Sequence, residues 1–171
     1  MTIKTILLGT ATSALIALCA TTTAMAASNV DYLSLNLGQY NALRDNQQSF
    51  QYGLEYRFAE WAYGVRPMLG AFGTADGAAY GYAGINWDVA IIPDQLYIIP
   101  NFAAGAYRNG GGKDLGGAIQ FRSGIELSYQ FQNQHQLGIA LNHLSNAGIY
   151  SHNPGQESIF VTYSVPVRSL F

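Results

Sequence analysis

Residues 50–58 read F-Q-Y-G-L-E-Y-R-F, with an aromatic residue or a leucine at every second position. The positions between them hold Gln51, Gly53, Glu55 and Arg57. Successive side chains of a β-strand point to opposite faces, so this alternation predicts a strand with one apolar and one polar face. A strand of this kind separates two very different environments.

The same alternation recurs along the chain, whereas no helix with a convincing 3.6-residue apolar stripe follows the first two dozen residues. The further alternating segments lie at residues 33–37, 65–71, 82–89, 96–105, 120–131, 137–145 and 157–165. Together with residues 50–58 they predict an all-β chain of eight strands. Such a chain can close into a sandwich, a lipocalin-like cup or a membrane barrel.

The composition of the two faces favours the membrane barrel. Charged residues make up 11% of the chain, about half the share that is usual in soluble domains. The polar face is built from Gln, Asn, Ser and Gly rather than from Lys and Glu, and the apolar set ends in aromatic residues. This is typical of a barrel with a polar lumen and a lipid-facing surface bounded by aromatic girdles. The predicted fold is therefore an eight-stranded antiparallel transmembrane β-barrel.

Charged residues on the polar faces are expected to pair inside this barrel, because an unpaired buried charge is costly. This predicted interior network consists of Glu55, Arg57, Arg66, Arg122 and Glu126. Pro67 and Pro100 fall within strands and lack a backbone donor, so local bulges are expected at both positions.

The links between strands alternate in predicted length, which gives the barrel a direction. Short links join the even strands to the next odd ones, as in the periplasmic turns of outer-membrane barrels. The longer links are expected on the extracellular side, at residues 39–48, 73–78, 108–117 and 147–156. The last residue, Phe171, follows apolar residues at alternate positions and resembles the C-terminal aromatic signal of outer-membrane barrels.

The first 26 residues are expected to be a secretory signal peptide, which leaves residues 27–171 as the barrel. A basic start with Lys4 precedes an apolar run, and residues 24–26 read A-M-A, an A-x-A cleavage site. The apolar run is short for a membrane helix, and Leu18 before Cys19 argues against a lipoprotein signal. The mature chain would contain no cysteine and carry a net charge of −3, which argues against nucleic acid binding.

Residues 137–161 are predicted to form a hairpin that carries the chemistry. With alternating side chains, His143 and Ser145 share the apolar face. If the hairpin is centred near Tyr150, His143 lies opposite Glu157 with Cβ atoms about 4.5–5.5 Å apart. Ser145 lies about 6.6–6.8 Å of strand rise from His143. An acid, a base and a nucleophile would thus share one face. The alternative without catalysis is that His143 and Ser145 are ordinary interfacial residues at headgroup depth, with Glu157 exposed on the rim of the barrel.

Two short motifs in this hairpin match a known family. H-L-S-N-A-G at residues 143–148 and N-P-G-Q-E at residues 153–157 resemble the lipid A 3-O-deacylases, which are small outer-membrane esterases. The resemblance is strongest over residues 117–171. It implies hydrolysis of the 3-O-linked acyl chain of lipid A, a component of lipopolysaccharide, in the outer leaflet. No metal or cofactor is expected, and a homodimer is left open.

The resemblance also implies a role for each residue of the site. Ser145 would be the nucleophile, His143 the general base and then acid, and Glu157 the group that orients the imidazole. The Asn153 side chain and the Gly148 backbone N–H would form the oxyanion hole. The roles agree with general chemistry, since a serine hydroxyl needs a base, and that base needs a group that fixes its tautomer.

Other candidate sites are weaker. His135 and His152 lie far apart in sequence without cysteines, which does not indicate a zinc site. Residues 110–112 are all glycine and precede Lys113, but the context of a P-loop is missing. This segment is interpreted as a flexible extracellular loop, and contact of Lys113 or Arg108 with a lipopolysaccharide phosphate is the less favoured interpretation.

Two other functions stay open at this point. The first is a structural or adhesive barrel without enzymatic activity, in which the loops rather than the hairpin would matter. The second is a membrane phospholipase or acyltransferase that uses the same residues on another lipid.

Overall fold

The computed structural model describes residues 29–170, so the expected signal peptide and Phe171 lie outside the described residues. The strands are β1 (Tyr32–Tyr40), β2 (Ser49–Arg57), β3 (Val65–Thr74), β4 (Ala79–Trp87), β5 (Val89–Ile92), β6 (Leu96–Arg108), β7 (Ile119–Gln130), β8 (Gln136–Ser145) and β9 (Gln156–Pro166). One turn of 3-10 helix follows at Val167–Ser169. Within residues 29–170 there is no helix long and apolar enough to cross a membrane.

All strand pairs are antiparallel, and the sheet closes on itself. The order is β4-β3-β2-β1-β9-β8-β7-β6-β5, and pairing of β4 with β6 completes the circle. β4 and the start of β5 pair with β6 in the same register, shown by Ile85 opposite Phe102 and Val89 opposite Ile98. They therefore form one barrel strand that is interrupted at Asp88. The predicted eight-stranded antiparallel barrel is confirmed.

The bulges expected at Pro67 and Pro100 are wrong. The registers of β3 with β4 and of β6 with β7 run through these prolines without a shift, and the shift lies instead between Ala90 and Ile92. Each proline adjoins the end of a ladder, where a missing N–H costs little. The pairing of β2 with β3 ends next to Pro67, and that of β4 with β6 ends next to Pro100.

The apolar faces point outward and the polar faces point into the barrel. Along β2, Phe50, Tyr52 and Leu54 are exposed, whereas Gln51 and Glu55 are buried. The same pattern holds along β8, where exposed and buried residues alternate from Gln136 onward. A surface of large exposed apolar residues around a polar interior is the arrangement of an outer-membrane barrel, and lipid is the solvent that makes it stable.

Four of the five predicted interior charges form one network. Glu55 accepts from Arg57 at 2.8 Å and from Arg122 at 2.8 Å, and Arg57 also binds Glu126 at 2.6 Å. Tyr82 donates to Glu55 at 2.9 Å. These groups are all buried, so each charge is compensated by a partner inside the lumen.

Arg66, the fifth predicted member, lies in a separate pair. Its guanidinium binds the carboxylate of Asp88, at the interruption between β4 and β5. It also donates to the carbonyls of Val30 and Phe58. These contacts anchor the interrupted strand to the region where the described chain begins.

One end of the barrel carries the links 41–48, 75–78, 109–118 and 146–155, and the other carries 58–64, 93–95 and 131–135. Three of the four links at the first end are long, as predicted. The link 75–78 is short because β3 extends to Thr74. We assign this first end as extracellular, since outer-membrane barrels keep their longer loops there.

Candidate active site

His143 and Glu157 face each other across the hairpin of β8 and β9. The register places the two residues directly opposite, as the sequence predicted. Nδ1 of His143 lies 3.1 Å from Oε1 of Glu157. Both side chains are on the outward face, where the His143 side chain is 46% exposed and that of Glu157 is 20% exposed. The pair therefore sits on the lipid-facing side, near the extracellular end of the barrel.

This contact assigns different tasks to the two imidazole nitrogens. An ionised carboxylate only accepts hydrogen bonds, so the proton of a neutral His143 belongs on Nδ1, which faces Glu157. Nε2 then carries a lone pair. An imidazole held in this tautomer can accept a proton through Nε2, as a general base must.

Ser145 is the last residue of β8 and lies two positions beyond His143 on the same face. It is half-buried and pairs with Phe121 of β7. Among the described residues its hydroxyl makes no hydrogen bond to the imidazole of His143. His143 is thus hydrogen-bonded to Glu157, whereas Ser145 lies next to this pair on the same face. Hydrogen bonds of catalytic groups are often long before substrate binds.

Arg44 is a charged neighbour of this pair that the sequence analysis missed. Its Nε lies 3.8 Å from Oε2 of Glu157, and its guanidinium also reaches the carbonyl of Pro154 at 3.5 Å. Arg44 belongs to the link after β1, and β1 is adjacent to β9 only because the barrel closes. No local motif in the sequence joins these positions. The guanidinium is half exposed, so the pair is worth about 0–1 kcal/mol.

Asn146 organises the turn that follows Ser145, and the sequence analysis missed this residue too. Its buried amide donates to the carbonyls of Leu115 at 2.9 Å and His152 at 2.7 Å. Its Oδ1 accepts from the N–H of Gly148 at 2.9 Å. Its own N–H donates to Oδ1 of Asn153 at 3.0 Å. Asn146 thus takes part in four hydrogen bonds, and the bond to Leu115 ties the link 146–155 to the link before β7.

The two residues expected to form the oxyanion hole lie in this turn. Gly148 has φ +79°, a left-handed conformation, and its N–H is bonded to the Asn146 side chain. Asn153 is exposed and uses Oδ1 as an acceptor, which leaves its amide N–H groups as donors. The structure brings both residues to the turn after Ser145 and engages the Gly148 donor within the protein.

Gly155 contacts the imidazole from the other side of the hairpin. It is buried and has φ +59°. A Cβ atom at this position would lie only 2.8 Å from Cε1 of His143. The close approach of backbone to ring limits the orientations that the imidazole can adopt.

The glycine-rich link before β7 is tied down, in contrast to the expected flexible loop. Gly111 donates to the carbonyl of Asp76, and Gly112 donates to that of Asn109. Lys113 is 6% exposed and points inward, so its ammonium does not present itself to a phosphate in the surrounding membrane. Arg108 is exposed at the end of β6.

The remaining histidines lie away from this site or at its margin. His135 is at the opposite end of the barrel, where its Nδ1 contacts the Tyr163 hydroxyl at 2.8 Å. His152 is exposed in the link 146–155. Across residues 29–170, no group of three or more His, Cys, Asp or Glu side chains could hold a metal ion.

Comparison with known proteins finds a family whose model matches most of the described chain. The family model described as Lipid A 3-O-deacylase (PagL) matches residues 34–166. Lipid A deacylase PagL of Bordetella bronchiseptica is 30% identical over 110 residues, which span 58% of this chain and 61% of that protein.

Solved structures show the same architecture. The outer membrane enzyme PagL aligns with a TM-score of 0.62 and 21% identity, over 79% of this chain and 99% of that one. Neisserial surface protein A aligns with a TM-score of 0.53 and 10% identity, over 83% of this chain and 99% of that one. Because the sequence identities are low, these structural matches show the fold of the chain and nothing further.

Proposed function

The chain belongs to the lipid A 3-O-deacylase (PagL) family, and from this premise we propose that it hydrolyses the 3-O-linked acyl chain of lipid A in the outer leaflet. The proposed machinery is a Ser145–His143–Glu157 triad on the lipid-facing surface of the outer-membrane barrel. Gly148 and Asn153 would stabilise the oxyanion.

The observation that carries this proposal is the His143–Glu157 contact on an otherwise apolar outer face. An imidazole bonded to a carboxylate is expensive at a lipid-facing position unless it has a function. An ordinary interfacial histidine would need no carboxylate held behind Nδ1. Because Nδ1 of His143 faces Glu157, Nε2 is the basic nitrogen of the imidazole. His143 shares its face of the strand with Ser145.

The chemistry proceeds in two acyl transfers. The Ser145 Oγ attacks the acyl carbonyl carbon while Nε2 of His143 takes the hydroxyl proton. The tetrahedral intermediate then collapses, the bond to the sugar oxygen breaks, and the imidazolium gives its proton to that oxygen. His143 then deprotonates a water molecule, which attacks the carbonyl carbon of the acyl-serine. When this second intermediate collapses, the bond to Oγ of Ser145 breaks, the imidazolium returns its proton to Oγ, and the fatty acid is released. Glu157 remains ionised and stabilises the imidazolium.

The oxyanion would require a local exchange of partners. The Gly148 N–H, now bonded to Oδ1 of Asn146, would donate to the negatively charged oxygen instead. The Asn153 amide would supply a second donor. In serine hydrolases, removal of one oxyanion-hole donor lowers kcat roughly 10²–10³-fold.

The outward orientation also supports a membrane lipid as the substrate. His143 shares its exposed face with Leu137, Ile139 and Leu141, which contact lipid in the outer-membrane barrel. An acyl chain of the outer leaflet can reach Ser145 by lateral diffusion without leaving the hydrocarbon layer.

The experiment compares two membranes as substrates for the refolded protein. Vesicles that contain lipopolysaccharide and vesicles of phospholipid alone are incubated with the protein, and the released fatty acids are identified by mass spectrometry. Release of a 3-hydroxy fatty acid from the first vesicles alone is the expected result. Acyl release from phospholipid would assign a phospholipase instead, and acyl transfer to another lipid would assign an acyltransferase. No reaction with a folded protein would favour a structural barrel.

A further inference from the structure

Lys113 is a buried lysine at the extracellular end of the barrel. The sequence contains one other lysine, Lys4, which lies in the expected signal peptide. Lys113 belongs to the link between β6 and β7, and only 6% of its surface is exposed. Lysine is rarely buried to this extent unless the ammonium is satisfied by specific partners.

The partners of the ammonium come from two other links. Nζ donates to the carbonyl of Gly155 at 2.6 Å and to Oδ1 of Asn41 at 3.1 Å. Asn41 lies in the link after β1, and Gly155 lies directly before β9. One side chain thus joins three extracellular links, 41–48, 109–118 and 146–155.

The lysine backbone is itself held by a rigid support inside the barrel. The hydroxyl of Tyr107 donates to the carbonyl of Lys113 at 2.7 Å, and a second hydrogen bond of 2.7 Å joins Tyr107 to Tyr40. Both tyrosines are buried. The position of the ammonium is therefore set by packed strands rather than by a mobile loop.

The bond to Gly155 leads directly to the proposed active site. Gly155 packs so closely on His143 that a Cβ atom would lie 2.8 Å from Cε1 of the ring. Any displacement of Gly155 would therefore change the space available to the imidazole. Gly155 also lies two residues before Glu157, so the bond to its carbonyl also holds the start of β9, which carries the Glu157 carboxylate.

The charges around Lys113 show that this arrangement has an electrostatic cost. Burial lowers the pKa of Lys113, and the nearby Arg44 guanidinium lowers this pKa further. The Glu157 carboxylate acts in the opposite direction. Asp114 follows in the same link and is exposed. A buried cation at this position needs a compensating contribution, which the bond to Gly155 supplies.

We propose that Lys113 is a positioning residue for the reaction, in that its ammonium holds the Gly155 backbone against the imidazole of His143. The inference rests on the proposed function and deepens it. With Gly155 fixed, the ring keeps Nδ1 towards Glu157 and Nε2 on the side that serves Ser145. Lys113 acts through Gly155 and does not touch the reacting atoms.

The test compares Lys113→Met, Lys113→Arg and Arg168→Met, each refolded as the complete mature barrel. Lys113→Met is expected to lower kcat on lipid A about 10–100-fold, the scale of a misplaced catalytic group, and to leave KM unchanged. Lys113→Arg keeps a charged donor and is expected to recover part of the lost kcat. Arg168→Met removes an exposed positive charge at the opposite end of the barrel, away from Gly155, and its kcat is expected to equal that of the wild type.

Two results would overturn the role of Lys113. The first is a wild-type kcat in folded Lys113→Met, and the second is an equal loss of kcat in Arg168→Met. If the wild type itself leaves lipid A intact, the proposed function fails instead, so the two failures are distinguishable.

A measurement on the wild type covers the case in which Lys113→Met does not fold. In protein labelled with ¹³C-lysine, the single lysine of the mature chain is expected to show a rigid side chain near Gly155 in the NMR spectrum. A mobile lysine side chain with random-coil shifts would contradict the proposal.

Discussion

Nδ1 of His143 and Oε1 of Glu157 lie 3.1 Å apart on neighbouring strands whose register is centred on Tyr150. The distance follows from the hairpin itself. A shift of the register by one residue would turn one of the two side chains to the lumen and break the pair. The lipid-facing apolar residues of β8 and β9 oppose such a shift, so the same alternation that builds the barrel also holds Glu157 beside His143.

Glu157→Gln tests whether the carboxylate orients the imidazole. The amide can donate to Nδ1 and so favour the wrong tautomer, and kcat is expected to fall about 10²–10⁴-fold, as when the acid of a serine triad is amidated. Asp76→Asn removes an exposed negative charge from another extracellular link and should leave the hydrolysis rate of lipid A unchanged. Equal rates for Glu157→Gln and the wild type would show that the carboxylate has no part in the reaction.

Gly155→Ala tests the contact between backbone and imidazole. The new Cβ would lie 2.8 Å from Cε1 of His143 and displace the ring, so the initial rate is expected to fall about 10–100-fold. Gly77→Ala is the matched control, because Gly77 has φ +83° and no atom within 4 Å of its Cβ position. Like Gly155→Ala, it places an alanine at a left-handed φ, but without the contact to the ring. If both variants lost activity equally, the loss would come from strain rather than from the imidazole.

Asn146→Ala tests whether this amide holds the turn that contains Gly148 and Asn153. Its removal leaves the carbonyls of Leu115 and His152 without this donor, and the bond to Leu115 is buried, so the free energy of unfolding is expected to fall by about 2–3 kcal/mol. Denaturant unfolding in detergent micelles measures this change. Asn109→Ala removes an exposed amide from a link at the same end and should have no measurable effect. Unchanged stability of Asn146→Ala would contradict the structural role.

The ionisation of Lys113 should appear in the pH dependence of stability. Burial lowers the pKa of Lys113 in the folded protein, so the folded state releases this proton at a lower pH than the unfolded state. Between the two pKa values the unfolded state binds more protons, and the free energy of unfolding rises with pH. The difference in unfolding free energy between wild type and Lys113→Met should therefore increase in the alkaline range, up to the ordinary lysine value of about 10.4. A difference that decreases with pH would contradict the expectation.

Glu55→Gln tests whether the charged network of the lumen is independent of the proposed active site. The change leaves Arg57 and Arg122 short of a buried counter-charge, and loss of one partner of a buried ion pair costs about 3–5 kcal/mol. The barrel should unfold at lower denaturant concentration, while the folded fraction keeps the proposed activity on lipid A. Asp45→Asn, in an exposed link, is the control for the loss of one negative charge. A large drop in activity per folded molecule would assign the lumen network a catalytic role.

The barrel could be predicted from sequence because one periodicity governs it. Alternation with period two predicts each strand, and the polarity of the two faces predicts which of them contacts lipid. The centre of the last hairpin predicts that His143 lies opposite Glu157. The interruption at Asp88 and the tolerance of Pro67 and Pro100 depend on where neighbouring ladders end. That position is fixed by closure of the sheet and is not encoded in any one strand.

The surroundings of the site could not be predicted for a related reason. Arg44, Lys113 and Asn146 act through contacts between links that are far apart in the chain, and only the closed barrel brings these links together. Local spacing carries no signal for such contacts. The proposed roles of Gly148 and Asn153 rest on the family motif and remain predictions.

The most direct test of the proposed triad is mass spectrometry of lipid A after incubation with refolded wild type, Ser145→Ala and His143→Asn. The circular dichroism spectrum and melting temperature establish that each protein is folded. The triad predicts that the wild type removes the mass of one 3-hydroxyacyl chain and that neither variant does so. Intact lipid A after incubation with the folded wild type, or equal loss of the acyl chain with Ser145→Ala, would contradict it.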